Sequence, residues 1–318
     1  MISFPFDSET RRTAILLLVW TLSLMVVSTV QAQQPASRTA GDEIRAASRL
    51  PQATLSNLSN DSLRRAARDD APGPYRYARL RSVDISPSES GTWEQLPSGK
   101  WLWRYRVQSP SAHSLSLKFD RLSLPDQAAL YVYGPDYEVV RGPYTTADRT
   151  RGVLWIPEVP GDRVTVELTV PADARDAVRL HLATLGHAFR SLQPSPRNGP
   201  QTKARACNID VACPEADPWS NQIRSVGLYT FTDDGFRGTC TGTLVNNTEQ
   251  DATPYFMTAE HCLQGSESAA ASMTFYWNYD HPTCRPPGSQ ESGDVSSVER
   301  SEQTSSGALL RMSYGNCE

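Results

Sequence analysis

The stretch Arg163-Val164-Thr165-Val166-Glu167-Leu168-Thr169-Val170 alternates strictly, with Val164, Val166, Leu168 and Val170 on one side. A period of two is the mark of a strand with one face on a core. Trp101-Leu102-Trp103-Arg104-Tyr105-Arg106-Val107 repeats it, placing Trp101, Trp103, Tyr105 and Val107 together. Working outward, Tyr75 to Ile85, Ser114 to Phe119, Ala129 to Tyr133, Gly152 to Ile156 and Val178 to Leu185 carry the same alternation. Gly134-Pro135-Asp136, Gly142-Pro143 and Pro160-Gly161-Asp162 separate them. Strands at this spacing, without helices between them, predict an antiparallel β-sandwich over residues 74–190. Its aromatics could form a carbohydrate platform, but their regular placement on one face favours core positions.

The flanks differ in character. Arg11-Arg12, an apolar run from Thr13 to Val27 and the small-x-small site Val30-Gln31-Ala32 predict a secretory signal over residues 1–32, removed near Ala32. The apolar run is shorter than the roughly 20 residues that span a bilayer, so no stable membrane anchor is expected. No Phe-Leu follows the arginine pair, which favours general secretion over a twin-arginine route. Residues 33–73 are polar, promise little core and read as a flexible lead-in with a short helix from Ser59 to Arg68. Residues 191–205 hold Pro194, Pro196, Asn198-Gly199-Pro200 and Lys203-Ala204-Arg205, the composition of an open, cleavable linker.

A net charge of −4, with 21% charged and 39% hydrophobic residues, gives no basic excess and argues against a nucleic-acid partner. All six cysteines (207, 213, 240, 262, 284 and 317) fall after residue 206. In an exported chain that clustering predicts disulfides, with connectivity left open by sequence. A zinc site is the rival reading. Cys-x5-Cys and a His directly beside Cys are poor spacings for tetrahedral coordination, and no metal is expected.

Residues 206–318 carry the chemistry. Gly238-Thr239-Cys240-Thr241-Gly242-Thr243-Leu244-Val245 precedes Tyr255-Phe256-Met257-Thr258-Ala259-Glu260-His261-Cys262. Gly242 to Val245 and Tyr255 to Thr258 read as neighbouring strands, with Asn246-Asn247 opening the turn. This region resembles the histidine region of chymotrypsin-type serine peptidases. With Cys207-Asn208-Ile209-Asp210-Val211-Ala212-Cys213-Pro214, Tyr276-Trp277-Asn278-Tyr279 and Cys284-Arg285, it is similar to the secreted bacterial lysyl endopeptidases. Gly91-Thr92-Trp93, Trp103-Arg104, Ser109-Pro110 and Leu130-Tyr131-Val132-Tyr133-Gly134 look like that family's prosegment, which assists folding of its own protease domain and is then removed.

The resemblance implies an all-β chain, the sandwich prosegment being followed by the first barrel of a chymotrypsin-like protease. It implies His261 as general base, disulfides Cys240–Cys262 and Cys213–Cys284, protein or peptide substrates, and no cofactor. Cys207 loses its family partner and Cys317 has no counterpart, so both are left unassigned. Glu260 stands where the family has a small residue or His; on a strand it would point away from His261. Asp251, Asp280 and Asp294 lie outside the family's aspartate context. His113, His181, His187 and His281 read as surface or satisfied core residues. No Gly-Asp-Ser-Gly segment occurs, and Ser305-Ser306-Gly307 lies in a polar run.

The reading is therefore a precursor fragment of a trypsin-like secreted serine endopeptidase, inactive as given, whose triad Asp and Ser lie outside the sequence. A barrel without its partner would expose an apolar face, which favours truncation. The alternative is a non-catalytic secreted binding or folding module. Maturation is expected between Lys203 and Ala204, with Arg205 as rival site.

Overall fold

The structure, a computed structural model, describes residues 34–41, 44–69, 74–192, 207–289, 299–304 and 307–310. The elements below lie within the unit Pro35–Glu318. The signal segment, linker residues 193–205 with Lys203 and Ala204, Asp294 and Cys317 lie outside the described residues.

The chain is all-β, as the alternation predicts. One sheet contains β1 (Gln52–Thr54), β3 (Thr92–Gln95), β4 (Trp101–Gln108), β6 (Ala129–Tyr133), β7 (Val140–Tyr144) and β9 (Arg163–Val170). Its order is β1-β4-β9-β6-β7, with β3 beside β4. The second sheet runs β15-β14-β11-β12-β2-β10-β5-β8, with β13 beside β12. Those strands are β2 (Tyr75–Ile85), β5 (Ser114–Ser123), β8 (Leu154–Pro160), β10 (Arg179–Ala188), β11 (Val226–Asp233), β12 (Phe236–Val245), β13 (Tyr255–Thr258), β14 (Thr274–Asp280) and β15 (Glu299–Thr304).

The sandwich core explains the alternation. Val164, Val166, Leu168 and Val170 of β9 pack in one cluster with Val107 and Trp103 of β4 and with Leu115, Leu117 and Phe119 of β5. Full burial of such side chains contributes about 1.5–3 kcal/mol each. Trp93, Trp101 and Tyr105 rest against this cluster, in agreement with core roles. Arg175 lies over the rings of both Trp93 and Trp101, 5.3 and 5.0 Å from their centroids.

Two features differ from the sequence reading. The first is the lead-in. Leu50 is buried, Ala53 and Leu55 pack on the sandwich core, and β1 pairs in parallel with β4, Gln52 opposite Arg106. A three-residue strand and isolated apolar side chains leave no period to detect. Helix α1 (Asn60–Asp69) follows, with the Ser59 hydroxyl accepting from the Ser62 N–H at 3.3 Å. The Ser59-to-Arg68 expectation is one residue off.

The second is the joint between the two halves. Sandwich and Cys-rich half share one sheet: Phe236, Arg237, Gly238 and Thr239 of β12 pair with Arg79, Ala78, Arg76 and Tyr75 of β2. Arg237 crosses this seam and is wholly buried. Its Nε donates to the Tyr77 hydroxyl at 3.0 Å and lies 3.7 Å from Glu158 Oε1, and its Nη2 donates to Thr230. The Tyr77 hydroxyl donates in turn to Glu158. The Trp155 ring covers the guanidinium at 4.3 Å. Gly186 leaves room for the Ser116 hydroxyl, whose oxygen would stand 2.3 Å from a Cβ there, while the Arg237 stem passes at contact distance, 3.4 Å.

Candidate active site

Strands β12 and β13 bring His261 to its place. They pair antiparallel, Gly242 opposite Thr258 and Val245 opposite Tyr255. The approach is close because Gly242 has no side chain: a Cβ there would fall 2.4 Å from the Met257 carbonyl and 2.4 Å from the Phe256 ring. Gly242→Val is expected to force these strands apart and cost about 1–3 kcal/mol, the usual range for overpacking. Thermal melting would register the loss, and thiol trapping during refolding would show slower closure of Cys240–Cys262.

Beneath the strands, Phe256 packs edge-on against Tyr229, Phe275 and Trp277, at centroid distances of 5.7, 5.0 and 5.9 Å. Thr258 ends β13 with its hydroxyl donating to the Thr241 carbonyl at 2.8 Å and 2.8 Å from the Tyr229 hydroxyl. The chain then makes a single helical turn, α2 (Glu260–Leu263), ended by Gln264 in the left-handed region. His261 therefore stands on a one-turn helix, rather than at the strand end itself. Glu260 precedes it by about 100° around that turn instead of on an opposite strand face. Both side chains are exposed.

Cys262 points inward and is bonded to Cys240, with the Cα atoms 6.2 Å apart. A ring nitrogen of His261 and the two sulfurs lie within 4.8 Å of one another. As a disulfide the pair offers no thiolate, so the trio does not make a zinc site in the oxidised protein. The bridge ties α2 to β12 beside the imidazole. Among the described residues, no hydrogen bond joins His261 to a carboxylate. Asp251 is held in the β12–β13 connection by Asn247 and Thr253, whose hydrogen bonds lower its pKa, Thr253 contributing most. Asp280 ends β14 opposite Glu299.

Cys213–Cys284 is the other disulfide, so both are the pairs implied by the resemblance. Beside it is a contact that the sequence reading missed. Arg285 grips Asp210 with Nε and Nη2, each at 2.8 Å, and with its backbone N–H at 3.0 Å. These bonds hold the Asp210 carboxyl below its ordinary pKa. The available clue was an acid and a base each close to a half-cystine. Among the described residues Cys207 is an exposed free thiol. A cavity of about 770 Å³ opens between the halves, lined by Arg151, Trp155, Asp233, Cys262 and Glu267, and His261 does not line it. Among the described residues no helix is long and apolar enough to cross a membrane.

Residues 46–189 match the profile of the lysyl endopeptidase N-terminal domain, and residues 201–316 match that of the lysyl endopeptidase C-terminal domain. A lysyl endopeptidase of Pseudomonas aeruginosa is 27% identical over 229 residues, covering 69% of this chain and 47% of the relative. The chain thus spans about half the length of the curated relative it matches. With both parts of its architecture matched in order, the chain belongs to the lysyl endopeptidase family.

Proposed function

We propose that this chain belongs to the precursor of a secreted serine endopeptidase, with residues 74–190 as prosegment and His261 as general base. The observation that carries the reading is an exposed imidazole on the one-turn helix after β13, beside the Cys240–Cys262 bridge. In that role an imidazole nitrogen accepts the proton of a serine hydroxyl as the hydroxyl attacks the scissile carbonyl. The same proton then passes to the leaving amine, and the acyl-enzyme is hydrolysed by water. The bridge anchors the backbone that carries the ring, a first step in positioning it for proton transfer.

No Gly-Asp-Ser-Gly segment occurs among these 318 residues, and neither the nucleophile nor the tautomer-fixing carboxylate is assigned to any of them. Val245, Tyr255 and Met257 are exposed apolar side chains on one face of β12 and β13 and suit the face of a second barrel. Specificity for lysine rests on the family and on the placement of Lys203 in the linker. Cleavage after Lys203 would release a protease beginning Ala204-Arg205-Ala206-Cys207.

The test uses the secreted gene product. One equivalent of a serine-acylating fluorophosphonate is expected to label it, with hydrolysis of lysyl amides and an N-terminus at Ala204. Residues 1–318 alone should neither label nor turn over. Absence of both label and hydrolysis from the processed product would falsify the reading. A start before Ser191 or after Cys207 rules out the linker site, and a start at Ala206 moves the preference towards arginine.

A further inference from the structure

Helix α1 is held to the sandwich by polar contacts; none of residues 60–67 is buried. Asn60 Oδ1 lies 2.9 Å from His187 Nε2, and the Asn60 amide donates to the Ser111 carbonyl at 2.7 Å. Arg64 Nε donates to the Phe189 carbonyl at 3.1 Å, and its Nη2 is 3.2 Å from His113 Nε2. His187 Nδ1 is 2.8 Å from the Ser109 hydroxyl, which also accepts from Arg81 at 2.8 Å.

Counting protons fixes one nitrogen of each ring. Arginine only donates, so His113 must present a bare Nε2 to Arg64. The Asn60 amide nitrogen faces the Ser111 carbonyl, which turns its Oδ1, an acceptor, towards His187 Nε2. His187 then carries a proton on Nε2 and donates to Asn60. His113 is neutral in this arrangement, while the Ser109 hydroxyl, with two lone pairs, can meet His187 Nδ1 with or without a proton; each ring adjoins a cation.

The charged groups facing the pair are nearly all positive. Arg64 comes from α1, Arg81 from β2, and Arg190 follows β10, donating from Nη2 to the Arg64 carbonyl at 3.4 Å. The nearby carboxylate is Asp61, on the exposed side of α1 and paired with Arg64 at 3.0 Å. Among the described residues no carboxylate hydrogen-bonds either ring. Burial first, then Arg81 and His113, push the His187 pKa down to about 4. Burial and Arg64 lower that of His113.

We propose that His113 and His187 form an acid-sensitive latch that holds α1 on the sandwich when neutral and releases it when protonated. The sign follows from linkage: a histidine depressed in the docked state favours docking fully above its free pKa near 6.5. That contribution is lost as pH falls from there towards the depressed value. The latch also adjoins the seam with the Cys-rich half. Arg190 stacks over Tyr75 at 4.8 Å and donates to the Arg76 carbonyl at 2.6 Å. Tyr75 and Arg76 are the residues that pair with Thr239 and Gly238. Acid release of α1 therefore loosens the first residues of β2, the strand that holds β12.

Amide hydrogen exchange of the full chain between pH 7.5 and 4.5, corrected for intrinsic rates, tests this. Residues 61–68 are expected to lose protection at least about tenfold, the effect of one unit of pKa difference, while β9 stays protected. The double variant His113→Gln, His187→Gln should flatten that change. His181→Gln serves as control: His181 is hydrogen-bonded by Asp120 at 2.6 Å and Asp84 at 2.8 Å. Burial lowers its pKa, but these two carboxylates outweigh burial and raise it, so it titrates in the opposite sense. Should His187→Gln fail to fold, His113→Gln alone, at a partly exposed site, is expected to reduce the acid-induced loss. Unchanged protection down to pH 4.5, an undiminished transition in the histidine variants, or its disappearance in His181→Gln would overturn the proposal.

Discussion

Replacing His261 by Ala is expected to lower kcat of the processed protease on a lysyl peptide about 10⁴-fold or more, with little change in KM. In the proposed role the imidazole acts only while the proton moves, so its removal strips stabilisation from the transition state and leaves ground-state binding intact. The structure also predicts what will not change. His261 is exposed and its neighbour Cys262 keeps its bond to Cys240. Exposed substitutions away from special features stay within about 0.5 kcal/mol, so the variant should melt with the parent. Steady-state kinetics beside a thermal melt checks both halves. Activity within tenfold of the parent would place the base elsewhere.

Arg237→Ala is expected to be the most damaging single change to stability, costing about 3–5 kcal/mol. Glu158 is 3% exposed, and its Oε2 already lacks a hydrogen-bond partner among the described residues. Without the guanidinium its charge would stand buried with only the Tyr77 hydroxyl beside it. Removing the charge as well should recover much of the loss. Arg237→Met with Glu158→Gln replaces the ion pair by groups of similar size, a change often close to neutral in buried pairs. Denaturant titration of the single and double variants measures the difference. If Arg237→Ala falls within 1 kcal/mol of the parent, the pair does not hold the seam.

Much of this fold was legible because its core strands gather apolar residues on one face, even where the polar face is buried too, as at Thr165 and Glu167 of β9. In β9 every second residue is apolar, and β2, β6 and β9 begin and end where the alternation does. The short edge strands were not legible for the opposite reason. Val140-Arg141-Gly142-Pro143-Tyr144 forms β7 although its Gly-Pro reads as a break, because an edge strand needs only one side paired. The pairing of β12 with β2 joins segments some 160 residues apart, a separation that no local pattern encodes. Arg237 reads as one more surface cation in a chain with many. The site was legible to the extent that it is local: His261, Cys262 and the preceding strand sit in eight residues. The one-turn helix was missed because Ala259-Glu260-His261-Cys262 is too short to show a period.

The seam has a consequence in time as well as in space. In a chain made from its N-terminus, β2 is complete well before β12 exists, and until then it is the open edge of a sheet. Open edges recruit other strands and seed aggregation, and basic side chains along them are a common defence. Tyr75-Arg76-Tyr77-Ala78-Arg79-Leu80-Arg81 supplies three arginines along that edge. Once the partner arrives two of them become docking contacts: Arg76 pairs with Asp233 at 2.8 Å, and Arg79 stacks over Phe236 at 4.6 Å. The same charges thus guard the unfinished chain against its neighbours and then greet the one strand that belongs there.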